Sequence, residues 1–135
     1  MKTWHVIILI LGLLAPLSVV AAEKPENTKQ AVPKYNPRTE ATFKGTVVEV
    51  KDRNCPVSGG MGSHIILKVG DKTIEVHLAA TKFVKTYELV FNKGDEIEVI
   101  GSKVNFEDVD TIFAREIHRG QDTFVFRDKD GKPIW

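Results

Sequence analysis

The chain has 135 residues, 19 basic and 18 acidic, and a single cysteine, Cys55. That length suits one domain with one modest core. The even charge excludes the basic excess by which a general nucleic-acid binder neutralises phosphates, and the lone cysteine excludes an internal disulfide framework.

Residues 1–22 read as a secretory signal peptide. Lys2 and His5 precede the apolar run Val6 to Val20, and Val20-Ala21-Ala22 supplies the small residues of a cleavage site. The run is short of the ~20 residues a membrane span needs and Pro16 interrupts it, so cleavage near Ala22 is expected rather than a retained anchor. The mature protein is then periplasmic or secreted, without a membrane span. The signal removes Lys2 and no acid, which leaves the remainder neutral.

Residues 23–40 form a polar linker with Pro25, Pro33 and Pro37, too poor in apolar side chains to fold alone, with Tyr35 as its docking point. Residues 41–135 carry the domain. Thr42 to Lys51 predicts the first strand, in which Phe43 falls on one parity and Val48 and Val50 on the other. A bulge at Gly45 would bring all three to the core. Asp52 to Ser63, with Pro56, Gly59, Gly60 and Gly62, predicts a loop without regular structure.

Two β-type runs flank Gly70-Asp71, where Gly accepts the positive φ of a primed hairpin turn. If Val69 faces Lys72, the pairing places His64 directly opposite His77, with Cβ atoms about 4.5–5.5 Å apart. Ile65, Leu67, Val69, Ile74, Val76 and Leu78 make the apolar face. The histidines fall on the other, outer face, away from the main core.

Ala79 to Phe91 predicts the only helix, through the stripe Phe83, Tyr87, Val90 and Phe91. Gly94 follows in position for a left-handed turn. Asp95 to Val104 alternates with Ile97 and Val99 inward. Thr111 to His118 and Thr123 to Arg127 predict two more strands, and Trp135 an anchor at the end. A strand, a long loop, a hairpin, a short helix and a further hairpin make the order of an OB-fold, here an all-β, five-stranded Greek-key barrel with a C-terminal strand or tail.

Phe43-Lys-Gly-Thr-Val-Val-Glu-Val50 and Lys93-Gly-Asp-Glu-Ile-Glu-Val-Ile-Gly101 resemble the first and fourth strands of exported bacterial OB-fold proteins, including the periplasmic BOF family. Gly62-Ser-His64, Glu75-Val-His77-Leu, Ala114-Arg-Glu-Ile and Arg127-Asp-x-x-Gly131-x-Pro133-x-Trp135 are similar to a group of small secreted OB-like proteins. The resemblance covers Thr42 to Trp135 and implies the barrel. For function it implies only a nucleic-acid label borrowed from the fold.

The chemistry points elsewhere. His64 and His77 offer two imidazoles, and Cys55 or Met61 could add sulfur from the glycine-rich loop. Nitrogen with soft sulfur suits copper, and histidine with thiolate suits zinc. The plain alternative is a solvated polar pair. A single-strand binder would need aromatic platforms, which the hairpin's outer face lacks. No nucleophile–base motif, H-E-x-x-H or phosphate loop is present, so no enzyme is expected. The expected role is a non-enzymatic exported binding or accessory module for a metal, a small ligand or an envelope protein.

Overall fold

The structure, a computed structural model, describes residues 31–135, so the expected signal peptide and residues 23–30 of the expected linker lie outside the described residues. Short-period alternation yields strands β1 (Glu40–Cys55), β2 (Gly60–Val69), β3 (Lys72–Ala80), β4 (Glu96–Phe106), β5 (Val109–Arg119) and β6 (Asp122–Val125), with a single α-helix among the described residues, α1 (Thr81–Thr86), after β3. β1 pairs with both β2 and β4, β2 with β3, and β4 with β5. A parallel contact, Glu75↔Thr111 through His77↔Phe113, joins β3 to β5 and closes the ring. Five strands in the cyclic order β1-β2-β3-β5-β4, with a helix between the third and fourth, make an OB-like barrel. Farther along β5, β6 pairs with Glu116 to Arg119.

Ile65, Leu67, Val76, Leu78, Val99, Ile112, Ile117 and Phe126 are fully buried and fill the barrel. Each such side chain contributes about 1.5–3 kcal/mol on leaving water. Cys55, Phe106 and Phe113 form a second, smaller cluster with Tyr35, Val57 and Val104. The segment before β1 docks on the barrel as well: Asn36 N–H donates to Ser102 Oγ at 3.2 Å and Tyr35 Oη–H to Glu40 Oε2 at 2.6 Å.

Several expectations change. β1 does not stop at Lys51 but runs to Cys55, and β2 begins at Gly60, so a 3-10 turn, Pro56–Ser58, replaces most of the expected loop. Gly60 and Gly62 sit in a strand, paired with Cys55 and Arg53. The irregularity in β1 lies between Val47 and Glu49, not at Gly45. A Cβ at Gly45 would stand 2.3 Å from the Lys68 carbonyl oxygen, so its glycine serves close strand approach. Consequently Val47 is buried while Val50 is exposed. The helix is also shorter than its stripe implied: Ala79 and Ala80 belong to β3, and Glu88 at φ 51° turns the chain out of the helix. Tyr87 and Val90 are exposed, leaving Phe83 and Phe91 to reach the core.

Candidate metal centre

Gly70 takes φ 64°, and the register runs outward from Val69↔Lys72 to His64↔His77. A register shift follows immediately, between Ser63 and His64. The imidazoles do stand side by side on the outer face, but they are not solvated: both residues have 0% exposure. The reason is the second cluster. Parallel pairing sets Phe113 next to His77, and the rings of Phe113 and Trp135 each lie 5.7 Å from the His77 ring.

The long β1 brings the thiol. Cys55, also 0% exposed, ends that strand, and the Pro56–Ser58 turn folds back beside the histidines. Ligand atoms of Cys55, His64 and His77 all lie within 4.8 Å of one another, and the two rings meet edge to face at 4.9 Å. Gly62 makes the space. A Cβ there would lie 2.6 Å from Ser58 Oγ, 3.1 Å from Cys55 Cβ and 3.2 Å from His64 Nε2, so any side chain would enter the space these three residues surround.

Hydrogen bonding is incomplete in this space. Ser58 Oγ bonds His77 Nε2 at 2.8 Å, whereas His77 Nδ1 and His64 Nε2 have no partner. His64 Nδ1 approaches Glu75 Oε1 at 2.9 Å, but not along a direction that makes a hydrogen bond. Burial pushes that carboxylate up, but the hydrogen bond from Arg53 Nε at 2.8 Å, together with the charges of Arg53, His64 and Lys51, more than offsets it and keeps Glu75 below its usual range. Orphaned buried nitrogens are rare because desolvation without a partner is costly. His64 Nε2 and His77 Nδ1, which have no partner in two adjacent rings, are atoms that a ligand could satisfy.

Burial, aided by the Arg53 charge, pushes His64 down to about 4. Burial, then His64 and Arg127, pushes His77 down to about 3. Near neutral pH both rings are therefore uncharged, with lone pairs free for coordination. Burial pushes the Cys55 thiol up, so it keeps its proton until an ion displaces it. Two imidazoles and one thiolate in a dry space fit a soft or borderline cation.

Of the residues expected from sequence, Cys55, His64 and His77 come together. Met61, paired with Asn54 on the strand, is 52% exposed and turned to solvent. Ser58 and Gly62 were not anticipated as parts of the site, since their importance depends on contacts across the β1–β2 turn.

Fold and cluster together define a class: an OB-like barrel whose hairpin carries a two-histidine, one-cysteine centre under a terminal cap. The MamS/MamX magnetosome protein family matches residues 39–124, and the chain belongs to that family. All three cluster residues fall inside the match. No curated protein matches the chain in sequence. Similarity to the exported BOF group therefore rests on the strand segments alone. Among the described residues no helix is long and apolar enough to cross a membrane.

Proposed function

We propose that this protein is an exported, non-enzymatic accessory module associated with the magnetosome, which holds one transition-metal ion, copper or zinc, on Cys55, His64 and His77. The observation that carries the reading is the set of buried ligand atoms within 4.8 Å, with imidazole nitrogens left unpartnered. Family membership supports the magnetosome setting, and the sequence of residues 1–22 supports export.

Charge balance favours copper(I). One thiolate neutralises a monovalent ion, whereas zinc would leave a net positive charge in a space where Arg53 and Arg127 already disfavour a protonated His77. Bound copper would supply one-electron chemistry; bound zinc would supply a structural cross-link.

Support for a non-enzymatic role comes from the Ser58–His77 pair. Its 2.8 Å separation suits a nucleophile and base, but His77 Nδ1 lacks an orienting acceptor and a ring held near 3 is a weak base at neutral pH.

Anaerobic titration of residues 23–135 with copper(I) and with zinc, each against a competing chelator, tests the reading. One equivalent should bind, copper(I) the tighter, and binding should fall at least tenfold in Cys55→Ser and in His64→Gln with His77→Gln. Equal metal content in parent and variants, all folded by circular dichroism, would rule the site out.

A further inference from the structure

Arg127 is a buried polar group that is not among the proposed metal ligands. It is 4% exposed, yet among the described residues no carboxylate lies within ion-pair distance of its guanidinium. One nitrogen, Nη1, donates to the Gly131 carbonyl at 2.9 Å, and Nε has no partner. The rings of Tyr35, Phe113 and Trp135 stand 5.4–5.6 Å from its central carbon. Such contacts attract a cation but provide no counter-charge, so a desolvated guanidinium remains without an anion. Burial accordingly works against its charge, and Tyr35 is the one titratable group that supports it.

Arg127, Tyr35 and Phe113 all line a surface cleft of about 460 Å³ between the segment preceding β1 and the chain's last turn. Pro56, Val57 and Pro133 give it apolar walls. Exposed Lys34 and Lys132 also line it, opposed by Asp130 alone. An apolar cleft with a few convergent polar groups is the usual form of a small-molecule site. A guanidinium fork matches the planar, two-oxygen geometry of a carboxylate.

We propose that this cleft binds a small monocarboxylate with an apolar body, its carboxylate paired to Arg127, its body against Val57 and Pro133, and Lys34 and Lys132 steering it in. The cleft shares Phe113 and the Pro56–Ser58 turn with the cover over the histidines, but its ligand would be held by Arg127 and its test is run on metal-free protein.

Benzoate is a suitable probe, with benzamide as its neutral isostere and inorganic phosphate as an anion without an apolar body. Isothermal titration of residues 23–135 should show saturable benzoate binding, at least tenfold weaker benzamide binding, and weak phosphate binding. Arg127→Lys should weaken benzoate at least fivefold by losing the fork. Lys34→Ala with Lys132→Ala, both at exposed positions, should weaken it two- to threefold and flatten its salt dependence. If Arg127→Lys fails to fold, Val57→Trp blocks the cleft with the arginine retained and should abolish binding. Benzamide binding as well as benzoate, benzoate affinity unchanged in a folded Arg127→Lys or in Val57→Trp, or no saturable binding by the parent would each overturn the proposal.

Discussion

The two faces of the β2–β3 hairpin are both buried, by different means. Its inward face carries Ile65, Leu67, Val76 and Leu78, and the barrel's own closure covers them. Its outward face carries His64 and His77, covered by Phe113, the Pro56–Ser58 turn and Trp135. The inward face is satisfied by packing alone. On the outward face, burial strips water from polar atoms and leaves some of them without partners, a cost that a ligand can remove. Dry burial of groups that have lone pairs to offer is what separates a binding centre from a core.

This contrast can be sharpened first with pH. The ordinary histidine value of 6.5 describes the unfolded rings, against about 4 for His64 and about 3 for His77 when folded. Because the folded values are depressed, the stability linked to the neutral rings is fully present above pH 6.5. It is lost as pH falls toward 4 and then 3. Once well below 6.5, each ring should cost the metal-free protein about 1.4 kcal/mol per pH unit. Between pH 6.5 and roughly 4.5 the two rings dominate; below that, Glu40 and Glu75, both held under their ordinary 4.5, add to the loss. Urea midpoints measured across this range should slope steeply in the parent and flatten in a variant with both His64→Leu and His77→Leu. A parent curve that is flat down to pH 4.5 would contradict the buried, neutral state.

The inward face should behave in the opposite way. Leu67→Ala should cost about 2–5 kcal/mol in chemical unfolding at any pH, because it opens a cavity in the closed barrel. A smaller effect is expected at Gly62. Gly62→Ala forces a methyl group against Ser58 Oγ, Cys55 and His64, and should cost about 1–3 kcal/mol while reducing metal affinity at least tenfold. A fully metal-competent Gly62→Ala would show that the space above the glycine is not the site. His77→Leu alone exchanges a partly unsatisfied polar ring for an apolar side chain, so metal-free stability at pH 7.5 should change by less than about 1 kcal/mol. Smallest of all is Lys44→Ala: its 3.6 Å pair with Glu98 has side chains 79% and 38% exposed, and the unfolding midpoint should hardly move.

Much of the hairpin was legible in the sequence, because a positive-φ glycine and strict alternation are local signals that fix register. His64 opposite His77 followed from Gly70-Asp71 alone. The burial of those rings did not follow. It depends on Phe113, thirty-six residues beyond His77 on a strand that reaches it only when the barrel closes, and on a tail that folds back from Phe126. The glycine-rich stretch misled for a related reason. Locally, Gly60 and Gly62 signal a loop; in the fold, Gly62 is a strand residue whose missing side chain makes room for its neighbours. Cys55 was recognisable as a candidate ligand by its chemistry, but its place at the end of a strand depended on pairing with Gly60. Arg127 was visible only as part of a closing motif, since no local pattern announces that an arginine will be buried without a carboxylate.

The most direct test of the metal centre is X-ray absorption at the metal edge of the copper(I)-loaded protein. One sulfur and two imidazole nitrogens in the first coordination shell, with the sulfur lost in Cys55→Ser, is the predicted result. A shell of oxygen and nitrogen only, or one unchanged by Cys55→Ser, would contradict the assignment of Cys55, His64 and His77.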